Sequence, residues 1–216
     1  MAKVNDGQSR LETNLDQSDA PSDPEELRLS KLAIEANLQY EALGRFIAKF
    51  EHLCQTLRFE IGIFLGGNLL RQRLVDILLS EVTAMDLTRD YFSMLPEVMT
   101  VNPFAEDLFR NVRKRITFLI ETRNWVVHNA LYIGWASTTD TELGPASGLK
   151  ANRRYFGLDY ESRSFGVSDF NEYALEADKL TQLIHRIGGV VLMGLTMENN
   201  FQKLADGQWI DSGPSA

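Results

Sequence analysis

The chain has 216 residues, of which 44% are hydrophobic, with a formal net charge of −8 and one cysteine, Cys54. This length and composition fit one domain with a sizeable core. The acidic balance argues against nucleic-acid binding through net charge alone. Cys54 has no Cys or His neighbour at metal-ligand spacing, which argues against a disulfide framework or a zinc site and favours a buried core thiol.

The sequence also bears on location. No apolar run reaches the roughly 18 to 20 residues that a membrane-spanning helix needs. The N-terminus is polar and acidic and lacks the basic-then-apolar order of a signal peptide. We therefore expect a cytoplasmic protein that does not enter a membrane.

The first part of the chain predicts a tail followed by a long helix. Residues 1–26 are polar, with almost nothing to bury, and predict a disordered N-terminal tail. From Leu27 to Leu65, apolar residues recur at three- and four-residue steps, which predicts one amphipathic helix. We expect a bend near Gly44 and an end at Gly66-Gly67, in the manner of a glycine C-cap.

Two further helical regions follow. Residues 69–99 carry apolar side chains at helical spacing, with a break expected near residues 83–86 and a regular part that ends before Pro96. Asn102 has the pattern of an N-cap before a proline at the first helical position. This predicts a helix over residues 103–132.

The last third changes in character. Over residues 136–168, Gly, Ser, Thr and Pro separate short alternating runs, which predicts a loop and a small β-hairpin that turns near residues 160–162. Ser168 and Asp169 have the pattern of a cap for a final helix over residues 170–197. Residues 199–216 predict a loose C-terminal tail.

Together these elements predict a mainly all-α fold. We expect a bundle of four to five helices over residues 27–198, with the small β-hairpin inserted before the last helix. No internal repeat is apparent in the sequence.

One segment near the end of the 103–132 helix carries candidate chemistry. In ETRNWVVHNALYIGW, residues 121–135, Asn124 and His128 are four apart and share a helix face, and Arg123 reaches that face with its long side chain. A histidine can transfer a proton near neutral pH, an arginine can hold phosphate oxygens, and an asparagine can orient the imidazole. This set suits metal-independent phosphoryl chemistry on RNA. Because one histidine cannot easily be both base and acid, a two-fold dimer that brings two copies of the helix together would complete the site.

The RNWVVH segment, at the end of a long helix in an all-α bundle, resembles the signature of the HEPN superfamily. That signature is Arg, four to six residues, then His, commonly with Asn, Asp or His after the Arg. The resemblance implies a metal-independent endoribonuclease of a toxin–antitoxin or antiviral system, with no cofactor and a site at a homodimer interface. The residues that match are Arg123, Asn124 and His128.

The same resemblance implies RNA as the substrate and an antitoxin or nucleotidyltransferase-type partner. In members regulated by such a nucleotidyltransferase, the tyrosine two residues after the histidine is modified. Here that position is Ala130, and Tyr132 lies two residues further on. This departure argues against regulation by nucleotide transfer to tyrosine.

A second interpretation stays open. Arg123 can pair with Glu121 or with an acid on another helix, and His128 can be an interface histidine. The domain would then be a non-catalytic module for dimerisation or for binding a ligand or partner.

Other patterns in the sequence indicate a function less strongly. The cations between Arg110 and Arg123 predict either a local basic face or an ordinary solvated one. Residues 153–156, Arg-Arg-Tyr-Phe, mix basic and aromatic side chains, as single-stranded RNA contacts do. His52 and His185 have the pattern of partly buried structural histidines. Three acids lie at helical spacings without a matching histidine, which predicts a solvated face rather than a metal site. They are Glu81, Asp86 and Asp90.

Overall fold

The computed structural model describes residues 23–66, 69–134, 136–137, 140–154 and 157–212. Within these residues the chain forms five helices: α1 (Pro24–Phe64), α2 (Leu69–Leu79), α3 (Ala84–Val98), α4 (Pro103–His128) and α5 (Val167–Leu192). Three strands precede α5: β1 (Ala130–Tyr132), β2 (Ala146–Arg154) and β3 (Gly157–Phe165). Two more follow it: β4 (Phe201–Lys203) and β5 (Trp209–Asp211). The predicted mainly helical bundle with a small β-hairpin before its last helix is confirmed.

The core lies where α1, α3, α4 and α5 meet, and α1 and α5 pack along each other. Phe46 of α1 is fully buried at its centre. The Phe46 ring centroid lies 6.3 Å from that of Phe50, 6.4 Å from that of Phe170 and 5.5 Å from that of Tyr173. Since aromatic side chains bury large apolar areas, this cluster joins α1 to α5.

Local signals determine several helix ends. The Asn102 side chain accepts a hydrogen bond from the Ala105 amide at 2.9 Å, with proline at the first helical position, so the predicted N-cap is confirmed. The predicted glycine end of α1 is also found, since Gly66 has φ 114° and its amide donates to the Ile63 carbonyl. Gly67 lies outside the described residues. The predicted break in the second helical region falls just before Thr83, which caps α3.

The start of α1 and the end of α3 differ from the prediction. α1 begins at Pro24 with Asp23 as its N-cap, so residues 23–26 belong to the start of this helix rather than to a tail, and residues 1–22 lie outside the described residues. α3 continues through Pro96 to Val98. A proline in the last turn removes only one helical hydrogen bond, and the Met99 amide still donates to the Leu95 carbonyl at 3.0 Å. α1 is helical through Gly44, and the bend expected near that residue stays a prediction.

α4 stops at His128, four residues before the predicted end. The backbone of Asn129 is extended, and its side-chain amide donates to the Trp125 carbonyl at 2.7 Å, in place of the next helical amide. Residues 130–132 then form β1, which pairs antiparallel with β2 from Ala130–Leu149 to Tyr132–Ser147. Strand pairing with a distant segment therefore overrides the helical spacing of the apolar residues.

The hairpin turn and the start of α5 also differ. Arg154 pairs with Gly157 and Ala146 with Phe165, so the chain reverses between Arg154 and Gly157, and residues 160–162 lie inside β3. α5 begins at Val167, three residues earlier than predicted, and ends at Leu192, five residues earlier than predicted. The Gly166 amide donates to the Asp169 carboxylate at 2.7 Å, which makes Asp169 a residue of the first turn rather than the cap.

The loose tail predicted for residues 199–216 is wrong over residues 199–212. β4 and β5 form an antiparallel hairpin in which Trp209 is only 3% exposed. The Trp209 ring lies edge-on to Phe104 of α4, at a centroid distance of 4.8 Å. The hairpin packs against α4 and α5 and is part of the fold.

The loop at residues 140–144 is hydrogen-bonded to the first half of α1. The Leu143 amide donates to the Glu35 carboxylate at 2.7 Å, and Gln39 donates to the Gly144 carbonyl at 2.9 Å. Arg28 donates to the Asp140 carbonyl at 2.9 Å.

Over the part of the chain that is described, none of the helices combines the length and the apolar character needed to cross a membrane.

Glu60 is a buried carboxylate between α1 and α5. It is 3% exposed, and its Oε1 lies 2.8 Å from His185 Nδ1. Its Oε2 has no hydrogen-bond partner and lies so close to Gly188 that an added Cβ there would be 1.9 Å away. Burial raises the pKa of Glu60 above its ordinary value of 4.5, although the hydrogen bond with His185 opposes this.

This raised pKa predicts a pH-dependent effect of Glu60→Gln. The folded state binds the Glu60 proton more tightly than the unfolded state, so Glu60 lowers stability as pH rises from 4.5 through its folded pKa. The free energy of unfolding of Glu60→Gln, relative to that of wild type, should therefore increase with pH over that window. Urea denaturation of both proteins from pH 4.5 to about 8 measures the difference. Parallel pH profiles would contradict the prediction.

Candidate functional site

The predicted catalytic segment forms the last two turns of α4, and its core-facing side fixes its position. Trp125 is 6% exposed, and its ring lies 6.2 Å from that of Phe165 and 5.0 Å from the Arg163 guanidinium. A Cβ added at Gly148 of β2 would lie 2.4 Å from Trp125 Cζ3, so the indole packs directly on the strand backbone. Val127 is 47% exposed and therefore does not belong to this buried side.

Arg123, Asn124 and His128 all line one cleft, with a cavity volume of about 430 Å³. α4 forms one wall, α1 forms the second, and the start of α3 forms the third. The side chains that α1 contributes are Phe50, Glu51, Cys54 and Arg58. The residues at the start of α3 are Val82, Thr83, Ala84 and Met85. The structure thus brings the three predicted residues together.

Arg123 is held on three sides. Its Nη2 lies 3.2 Å from Glu51 Oε1, and its Nη1 donates to Asn124 Oδ1 at 3.4 Å. Its guanidinium carbon lies 5.8 Å from the Phe50 ring centroid, within cation–π range. Its Nε is buried without a hydrogen-bond partner. The acid that pairs with Arg123 is therefore Glu51 on α1, not Glu121.

His128 and Asn124 form a ridge between two clefts. Both side chains are exposed, and four residues of helix separate them by about 6 Å along the axis. Both also line a second cleft of about 420 Å³, where β2 and β3 contribute Lys150 and Arg163. An imidazole and an amide on such a ridge are accessible to a ligand from either side.

Cys54 supplies no nucleophile to the first cleft. It is 4% exposed, as predicted for a core thiol, and burial raises the pKa of the Cys54 thiol to about 12. At neutral pH the thiolate, which is the reactive form, is therefore scarce. Among the described residues no group of three or more His, Cys, Asp or Glu side chains is arranged to hold a metal ion. The chemistry available in the cleft is anion binding by guanidinium groups and proton transfer by the imidazole.

Sequence reasoning missed the contribution of α1. Glu51, Cys54 and Arg58 are spaced three and four residues apart and therefore share one helix face. A face that alternates charged side chains with a buried thiol was a usable signal in the sequence. Its proximity to Arg123 was not, because 72 positions separate Arg123 from Glu51.

The other candidate patterns have ordinary surroundings. Two cations of the stretch before Arg123 pair with acids, Arg110 with Glu106 and Arg115 with Glu176, each at 2.5 Å. His52 and His185, predicted to be partly buried, are both exposed. Side chains of residues 153–156 lie outside the described part of the chain. Asp86 and Asp90 both pair with Arg89, as expected of a solvated face.

No protein-family model, no curated protein and no solved structure matches the chain. The resemblance of the RNWVVH segment to the HEPN signature therefore stays a prediction. The function has to be inferred from the cleft itself.

Proposed function

We propose that the chain is a metal-independent endoribonuclease of HEPN type whose active site forms between two copies of α4. One observation carries this proposal: Arg123, Asn124 and His128 converge on a single cleft, which also contains a second arginine, Arg58. Paired guanidinium groups beside an imidazole match the needs of phosphoryl transfer, in which charge accumulates on phosphate oxygens and a proton must move.

In the proposed reaction, His128 removes the proton from a ribose 2′-hydroxyl. The 2′-oxygen attacks the adjacent phosphorus, and the bond from phosphorus to the 5′-oxygen breaks. The products are a 2′,3′-cyclic phosphate and a free 5′-hydroxyl, and the leaving oxygen takes its proton from the partner's His128 in protonated form. Arg123 stabilises the charge on the phosphate oxygens, and Asn124 orients the imidazole or the sugar.

The two-fold arrangement in this proposal follows from the chemistry. Each step needs one base and one acid, and each chain offers one histidine on the ridge. Since the side chains of Asn124 and His128 are exposed, a second copy can approach them without unfolding α4. As part of the proposal, the protein acts in the cytoplasm as a toxin or antiviral effector, with an antitoxin-type partner.

A second candidate function is a non-catalytic module for dimerisation or for binding a partner. The Arg123 environment favours it, because pairing with Glu51 and contact with the Phe50 ring give this arginine a structural role. In this alternative the exposed Asn124 and His128 contact a partner surface rather than RNA.

Incubation of the purified protein with a mixed RNA pool in EDTA, followed by analysis of the 3′ ends, tests the proposal. We expect cyclic-phosphate ends, and no cleavage of a 2′-deoxy copy of the same sequences, because the nucleophile is then missing. Sedimentation at micromolar concentration should show a dimer. Cleavage by a monomer would contradict the shared site, and an inert dimer would favour the binding module.

A further inference from the structure

The second arginine of the cleft lies outside the motif. Arg58 lies on α1 and lines the same cleft as Arg123 and His128. Its Nε donates to the Leu79 carbonyl at the end of α2, at 3.2 Å. This hydrogen bond positions the guanidinium through the nitrogen nearest the chain and leaves its two terminal nitrogens for other partners.

Arg58 differs from the other partly buried arginines in that none of the described carboxylates pairs with it. Among the arginines that the structure describes as partly buried, those paired with a carboxylate within 4 Å are Arg28, Arg115, Arg123 and Arg186. Arg58 has no such partner among the described residues. A guanidinium that is partly removed from water without a counter-ion is costly, unless an anion binds to it.

Two described acids in or near the cleft lining, Glu51 and Asp86, both pair with other arginines. Glu51 is paired with Arg123 at 3.2 Å. Asp86, in the first turn of α3, accepts a hydrogen bond from Thr83 Oγ1 at 2.8 Å and pairs with Arg89 at 2.9 Å. Among the described residues that line the cleft, two guanidinium groups therefore face one carboxylate, and none of the described carboxylates forms an ion pair with Arg58.

We propose that Arg58 is a phosphate-binding residue and that, with Arg123, it holds one phosphodiester group of an RNA strand in the cleft. This inference rests on the proposed RNA chemistry and adds to it a residue on a different helix. The start of α3 forms the third wall, and the N-terminal end of a helix dipole favours an anion nearby. Arg58 acts on binding, whereas His128 acts on proton transfer.

Binding of a fluorescent 2′-deoxy oligonucleotide tests the role of Arg58, because this probe lacks the nucleophile and is not cleaved. For Arg58→Gln we expect Kd to rise about tenfold or more, the cost of losing a charge-assisted hydrogen bond. The slope of log Kd against log salt should fall by about 0.7, which corresponds to one phosphate contact on a single strand. Fluorescence anisotropy over a salt series gives both quantities.

Arg45→Gln is the matched control. Arg45 lies on the same helix and carries the same charge, but it is exposed and pairs with Glu41 away from the cleft. It should leave Kd and the salt slope close to those of wild type. Equal effects of Arg58→Gln and Arg45→Gln would overturn the proposal.

A second variant covers loss of folding in Arg58→Gln. Arg58→Lys keeps the charge but loses the planar fork that holds two phosphate oxygens, so it should bind more weakly than wild type. An affinity equal to that of wild type would also overturn the proposal. If wild type binds through Arg58 but cuts no RNA, the phosphate site stands and the ribonuclease proposal fails. If wild type cuts RNA and Arg58→Gln binds the probe as the control does, the ribonuclease proposal stands and the phosphate site at Arg58 fails.

Discussion

Replacing His128 with alanine should lower kcat for RNA cleavage by about a hundredfold to ten-thousandfold, while the dimer persists. General acid–base catalysis by a positioned side chain contributes about that factor. His128 is exposed at the last position of α4, so its removal leaves no cavity and should not alter the fold. Single-turnover cleavage in EDTA measures the rate, and sedimentation checks the dimer.

The control for this variant is His52→Ala. His52 is also an exposed histidine, but it lies on α1 outside the cleft lining. It should cut RNA at the wild-type rate. Equal rates for His128→Ala and wild type would show that another group transfers the proton.

The proposed shared site also predicts the activity of mixtures of wild type and His128→Ala. A mixed dimer of wild type and His128→Ala has one imidazole where the proposed reaction needs two. Excess variant should therefore reduce wild-type activity beyond simple dilution once subunits exchange. Activity that depends only on the amount of wild type would contradict a shared cleft.

The largest loss of stability should come from Phe46→Ala. Phe46 is fully buried and contacts the rings of Phe50, Phe170 and Tyr173. Removing a buried phenyl ring leaves a cavity and costs about 3–5 kcal/mol. Urea denaturation should show this fall in the free energy of unfolding.

Phe59→Ala, on the same helix, is the control for Phe46→Ala. Its side chain is 48% exposed, so the loss should be under about 1 kcal/mol. A similar cost at both positions would mean that the α1–α5 aromatic cluster is not the main core.

Much of the helical framework follows from local sequence. Helical spacing of apolar residues predicts long helices because each turn presents the same face to the core. Caps are equally local, and Asn102 and Gly66 could be recognised because their partners lie within a few residues. This is why the Gly66 end of α1 and the start of α4 agree with the prediction.

The sequence predictions fail where residues pair or pack with segments that are distant in the chain. Leu131 keeps the helical spacing of α4, yet residues 130–132 pair with β2, because a strand partner is available only in the folded chain. Trp209 gave no periodic signal, and its burial depends on a surface formed by α4 and α5. Long-range packing overrides local preference at both places.

The candidate site divides in the same way. The sequence indicated Arg123, Asn124 and His128, because their spacing on one helix is local information. It could not indicate that Glu51 holds Arg123 or that Arg58 lines the same cleft, because that depends on how α1 packs against α4. The contribution of α1 to the cleft was therefore the part that needed the structure.

The contact between Trp125 and Gly148 limits which pairs of residues these two positions can hold together. An indole at one position leaves no room for a Cβ at the other, so a substitution of Gly148 requires a smaller residue at 125. Sequences that descend from the same ancestor should therefore exchange the two residues together. A search pattern that requires both, along with the Arg-Asn-x-x-x-His spacing, would separate true relatives from chance matches better than the motif alone.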